Sequence, residues 1–115
     1  MDELFDDHGI YRLVLTIGHR TVPEGKKRTR WKCFVRPEVP GVVAKVSFEV
    51  QDGLSGAGVC VDAPPFELER STQSVYLSLP VVIVVHYQPQ LQRAPSQHTH
   101  EIMLHSTSRG NVAAA

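Results

Sequence analysis

Histidine, cysteine and a dense run of lysine and arginine are the side chains here with the chemistry to form a site. His98, His100 and His105, with Glu101, are the candidate metal ligands. His98 and His100 share one face of any strand, and their imidazoles are groups that zinc or copper accepts. A metal centre needs three or four converging ligands, and nothing places His8, His19 or His86 beside them. They are therefore read as ordinary strand-edge histidines, with no metal. Cys33 and Cys60 form no C-x-x-C motif and are too few for a disulfide framework, so both are expected as reduced thiols. No G-x-S-x-G, glycine-rich phosphate loop or H-E-x-x-H occurs. The residues point to binding, and neither catalysis nor a cofactor is expected.

The basic run is Lys26-Lys27-Arg28-Thr29-Arg30-Trp31-Lys32, extended by His19 and Arg20. Lys26, Lys27, Arg28 and Arg30 form a candidate basic patch for a nucleic-acid backbone, because Lys and Arg release counterions from phosphates. The plainer reading is a solvated loop. Over the 115 residues, 12 Lys and Arg balance 12 Asp and Glu, so any such attraction must be local. No apolar run approaches the ~20 residues of a membrane span, so no membrane contact is expected. The acidic start, Met-Asp-Glu-Leu-Phe-Asp-Asp, lacks the basic and apolar regions of a secretory signal and predicts an intracellular protein.

The elements that must hold these residues alternate with period two, the pattern of half-buried strands. Tyr11 to Ile17 is the first predicted strand, ended by Gly18; His19 to Thr29, with Pro23 and Gly25, is predicted as a loop. Trp31 to Arg36 puts Trp31, Cys33 and Val35 on one face. Lys45 to Gln51 puts Val46, Phe48 and Val50 on one face, and a glycine-rich loop runs from Gln51 to Ala63. Phe66 to Glu69 follows Pro64-Pro65 as an edge strand, and Ser71 to Ser74 reads as a turn. Val75 to Tyr87 places Leu77, Leu79, Val81, Ile83 and Val85 inward, and β-branching favours strand over helix there. On its other face Val82 and Val84 are a candidate docking patch for a partner, unless Gln88 to Gln97 covers them. His98 to His105 is the last predicted strand. The chain thus reads as a residue 1–10 tail, one antiparallel β-sandwich over 11–105, and a 106–115 tail without apolar pattern, expected to be disordered.

The order of motifs resembles the YEATS domain, an immunoglobulin-like sandwich of nuclear chromatin complexes. The resemblance rests on Ile17-Gly18-His19-Arg20, Trp31 to Pro37, Val43 to Val50, Ala63 to Leu68, Leu77 to Ile83 and His100 to His105, and spans about Tyr11 to His105. It implies an all-β fold and a non-enzymatic module that binds histone tails, in the nucleus, as a subunit of a histone acetyltransferase or chromatin-remodelling complex. Members read an acylated lysine in a pocket at one end of the sandwich. There a His-x-Ser/Thr-aromatic run, a glycine-aromatic step and a further loop aromatic clamp the flat acyl amide. The corresponding positions here are Gln51-Asp52-Gly53-Leu54, Gln73-Ser74 and Lys27, none aromatic. Leu54 offers an apolar wall and Gln51 an amide; Tyr76 and His19 are the rings placed to swing in. The implied site is a peptide-binding end with a degenerate pocket. The alternative is a scaffold that packs against other subunits through its sheet face without reading acyl-lysine.

Overall fold

In a computed structural model, residues 14–51, 58–73 and 78–104 and the backbone of 108–114 are described. Eight strands and one 3-10 turn account for them: β1 (Val14–Pro23), β2 (Arg28–Pro37), β3 (Val43–Val50), β4 (Val59–Val61), β5 (Phe66–Gln73), β6 (Ser78–Tyr87), the turn Pro89–Leu91, β7 (Ser96–Met103) and β8 (Ser108–Ala114). They form two antiparallel four-stranded sheets, β5-β2-β1-β8 and β4-β3-β6-β7. The fold is the antiparallel sandwich read from the alternation, of the immunoglobulin-like kind that the resemblance implied.

The core is the meeting of the inward positions of both sheets. Leu15 and Ile17 from β1, Trp31, Cys33 and Val35 from β2, and Phe66 and Leu68 from β5 pack against Val46 and Phe48 of β3 and Leu79, Val81, Ile83 and Val85 of β6. Burying a large apolar side chain contributes about 1.5–3 kcal/mol, so this face decides which way each strand points. Ala44 is the extra residue at a bulge, since Val43 pairs with Tyr87 and Lys45 with His86.

Several boundaries move from where the apolar pattern put them. The expected loop from His19 to Thr29 is mostly strand: β1 continues to Pro23, β2 begins at Arg28, and only four residues turn the hairpin. The apolar pattern lapses because the inward positions are His19, Thr21 and Thr29, polar yet buried. The expected turn at Ser71 belongs to β5, which runs to Gln73 at the edge of its sheet. Within the expected glycine-rich loop, Val59–Val61 forms β4. It pairs with β3 so closely that a Cβ on Gly58 would stand 2.9 Å from the Phe48 carbonyl oxygen. The tail expected beyond residue 105 is corrected: Ser108–Ala114 pairs antiparallel with β1 from Val14 to Arg20. An edge strand can be held by ladder hydrogen bonds without an apolar stripe, which is why Ser-Arg-Gly-Asn carried no signal.

The strand directions define the two ends. The β1–β2 turn, Gln51, Gln73 and the end of β7 lie at one. The β2–β3 connection, residues 62–65 and residues 88–95 lie at the other.

Candidate functional site

The best-defined part of the expected binding end is the β1–β2 turn. Gly25, at φ 78°, supplies the left-handed residue it needs, and the Glu24 amide donates to the Arg28 carbonyl at 2.8 Å. Glu24 then ties the hairpin to β5. Its carboxylate accepts from the Ser71 hydroxyl at 2.8 Å and from Arg30 Nε at 2.7 Å. Arg28 donates to the Ser71 hydroxyl at 3.1 Å and carbonyl at 3.0 Å, and Arg30 reaches Glu69 at 3.3 Å. The Ser71 hydrogen bond, then Arg30, hold the Glu24 carboxyl below its ordinary range, and Glu24 in turn raises Arg30. The groups are water-exposed, so the network orders the turn more than it stabilises the fold.

Lys27 and Lys26 stand exposed at the tip of this turn, and Gln51 and Gln73 are exposed at the same end. The Gln51 amide donates to the Pro80 carbonyl at 2.9 Å, which fixes where β3 ends. The topology therefore gathers Lys27, Gln51 and Gln73 at one end of the sandwich. Asp52, Gly53, Leu54, Ser74 and Tyr76 lie outside the described residues, as does His105. Trp31, on β2 towards this end, is 1% exposed, with its indole N–H donated to Thr72 Oγ1 at 2.9 Å. It belongs to the core and offers no stacking surface.

His19 does not join the site. Its ring is fully buried: Nδ1 lies 2.7 Å from His100 Nε2, and Nε2 accepts the Met103 amide at 3.2 Å. Both nitrogens are engaged across the sandwich, so the ring has no freedom to swing towards a peptide. His100 is likewise no surface histidine. Its ring points inward from an edge strand, a position its parity with Ile102 predicts but its polarity conceals. His98, beside it, bonds to Ser96 Oγ at 3.0 Å, and Ser96 in turn to the Tyr87 hydroxyl at 2.7 Å. Burial lowers the His98 pKa. Among the described residues no cluster of His, Cys, Asp and Glu is arranged to hold a metal ion. Cys33 is buried and Cys60 exposed, both free thiols. Burial pushes the Cys33 thiol up to about 12.

The basic residues form a face. Arg28, Arg30, Lys32 and Arg36 project at every second or fourth position from the outer side of β2, and Arg20 projects beside Lys32 from β1. Seven of the 12 Lys and Arg lie between Arg20 and Arg36, against Glu24 alone. Arg30 and Lys32 are partly offset by Glu69 and Glu67 on β5, the latter pair at 3.6 Å. The Arg36 guanidinium lies 4.0 Å above the Phe34 ring, a cation–π contact on this outer side. The run from Lys26 to Lys32, read as a solvated loop, is thus part of a hairpin, and its Arg28, Arg30 and Lys32 share an outer side with Arg20 and Arg36 because strand alternation sends Thr29, Trp31 and Cys33 inward.

Val82 and Val84 occupy the middle of the opposite outer face. Both are half-buried, flanked in register by Glu49 and Thr99 and by Ser47 and Gln97. Gln97 is part of β7, not of a loop folded over them.

A cleft of about 430 Å³ opens at the far end of the sandwich, between the sheets, with Pro37, Pro40, Val43, Pro64 and Phe66 in its walls and Arg36 and Asp62 among its polar lining. The Pro64–Pro65 bond there is cis. The proline cluster was the available sequence signal, but proline marks chain direction more readily than a cavity.

No family model and no curated protein matches the sequence. Solved structures do share its architecture. The Yaf9 YEATS domain recognising a succinylated histone H3 peptide superposes with TM-score 0.71 at 18% identity, over 90% of this chain and 83% of that one. The Yaf9 YEATS domain bound to acetylated histone H3 gives 0.73 at 17% identity, over 90% and 84%. The yeast AF-9 homolog protein Yaf9 gives 0.67 at 18% identity, over 90% and 80%. The chain therefore has the fold of a YEATS domain.

Proposed function

We propose that this chain is a divergent YEATS domain that binds histone tails in the nucleus, as a non-catalytic subunit of a histone acetyltransferase or chromatin-remodelling complex. The observation that supports it most is the superposition, over nine-tenths of the chain, on Yaf9 YEATS domain structures that recognise or bind acylated histone H3. The peptide would meet the end formed by Lys27, Gln51, Asp52, Gly53, Leu54, Gln73, Ser74 and Tyr76. The described side chains of that end are polar, so hydrogen bonding and loop contacts, rather than stacking on the acyl group, carry recognition. Two rings lost from the clamp remove about 0.5–1.5 kcal/mol each, which weakens acyl discrimination by roughly 5- to 150-fold. Calorimetric titration with matched acylated and unmodified H3 peptides tests this. Binding to both within a few-fold is the expected result, and binding to neither would refute the reading.

The half-buried Val82 and Val84 favour a second, compatible role as a scaffold contact, because a pair of valines amid polar neighbours is an apolar spot on an otherwise wet face. Replacing both by lysine should release the chain from its complex while the isolated domain stays folded. The five-cation face extends the reading to a weak nucleic-acid contact. Neutralising Arg28, Arg30 and Lys32 should then abolish a salt-sensitive affinity for duplex oligonucleotide.

A further inference from the structure

At the end of the sandwich opposite Lys27 and Gln51, the cleft of about 430 Å³ has the size and the mostly apolar walls of a ligand site, and histone binding makes no use of it. Its walls stand in place before anything enters. The rings of Pro37, Pro40, Pro64 and Pro65 fix φ, Val43 and Phe66 are buried beside them, and the Gln88 amide donates to the Val42 carbonyl at 3.0 Å. A preformed site gives up little conformational freedom on binding. The charges of the lining decide what enters. Glu67 pairs with Lys32 at 3.6 Å, and the Arg36 guanidinium stacks over the Phe34 ring at 4.0 Å. Asp62 is exposed and forms no ion pair among the described residues. The lining charge left to be matched is thus a carboxylate, and its complement is a cation carried next to apolar groups.

The neighbouring sheet edge favours a peptide as the carrier. β5 is the outermost strand of its sheet and begins at Phe66, a wall residue of the cleft. An extended segment laid along β5 would meet backbone hydrogen-bonding groups there and drop one side chain between the sheets. We propose that the cleft is a second peptide site, which takes a large aliphatic side chain of an extended partner segment while an adjacent lysine or arginine of that segment meets Asp62. The site stands whether or not the domain binds histones, since it lies at the other end of the strands and shares no residue with the end formed by Lys27, Gln51 and Gln73.

Acetyl-Leu-Lys-Leu-amide, titrated into the intact chain and followed by amide proton–nitrogen spectra, tests it. Shifts should centre on Val43, Asp62, Ala63 and Phe66 and saturate at millimolar peptide. Replacing both leucines of the peptide by alanine should weaken binding about tenfold or more, because the side chain in the cleft loses most of its apolar area. Glutamate in place of the peptide's lysine should weaken it roughly 2- to 30-fold, a surface attraction exchanged for a repulsion of similar size. Asp62→Lys should invert that preference; Asp62 is exposed, so the change leaves the core intact. If the variant does not fold, the peptide series on the unsubstituted chain decides. Binding indifferent to the sign of the peptide charge, shifts confined to Lys27, Gln51 and Gln73, or no saturable shift would each overturn the proposal. Shifts of the cleft residues that grow with protein concentration alone would also overturn it, by giving the cleft to a second copy of the chain. None of these outcomes bears on the histone H3 titration, which reads the other end.

Discussion

Thr72→Val offers a clean perturbation of the end of the sandwich where the peptide is proposed to bind. The two side chains are nearly isosteric, and both suit a strand, so the change removes little besides the hydroxyl. That hydroxyl accepts the indole N–H of Trp31 at 2.9 Å, and Trp31 is 1% exposed. The substitution leaves a buried donor with no acceptor. The penalty for such an orphan is about 1–3 kcal/mol, equivalent to a roughly 5- to 150-fold rise in the unfolding constant. Domains of this size hold only about 5–15 kcal/mol in total, so the shift is readily measured. Thr72→Ser keeps the acceptor and loses one partly buried methyl, and should cost less than about 0.8 kcal/mol. Urea denaturation followed by far-ultraviolet circular dichroism is the assay, since Trp31 is itself the fluorophore, and the midpoint should move with little change in slope. In a Trp31→Phe background the donor is gone, so Thr72→Val should cost less than about 0.5 kcal/mol. Equal penalties in both backgrounds would refute the assignment of the bond.

Two further outcomes are expected. Cys60 is exposed and Cys33 is buried with its thiol pushed up to about 12, so a thiol reagent at pH 8 should label one cysteine in the native protein and two in denaturant. Mass spectrometry reads the count, and rapid double labelling of the native state would contradict the packing of β2. The Glu24 carboxyl should titrate below its ordinary range in carbonyl-detected NMR. Because the Ser71 hydroxyl is the larger cause, Ser71→Ala should move it upward more than Arg30→Gln does.

How much of this was readable beforehand depended on where the chain uses apolar residues. Trp31, Cys33 and Val35, then Val46 and Phe48, then Leu79 to Val85 alternate plainly, and each of those faces is the core. The hairpin between His19 and Thr29 was hidden because its inward residues are polar and find partners in the interior. Strands β4 and β8 were hidden for a different reason. They contribute backbone pairing more than apolar area, and hydrogen-bond ladders leave no mark on composition. The candidate site divides in the same way. Gathering Lys27, Gln51 and Gln73 at one end follows from strand order, but excluding His19 from it required the positions of His100 and Met103, 81 and 84 residues distant.

The sequence by itself determined the strand periodicity, the two-sheet class and a basic run inside a neutral chain. All three are properties of residue type and spacing along the chain, whereas the non-aromatic residues at the implied pocket positions are legible only through the YEATS resemblance. Only the tertiary structure decided that the basic run is one face of a sheet, that Val82 and Val84 are half-shielded, that an apolar cleft opens at the opposite end, and that two histidines face each other across the core. Those are relations between segments far apart in the chain. Imidazoles, hydroxyls and guanidinium groups serve a surface or an interior equally well, and which they serve is set by the partner that packing brings within about 3 Å.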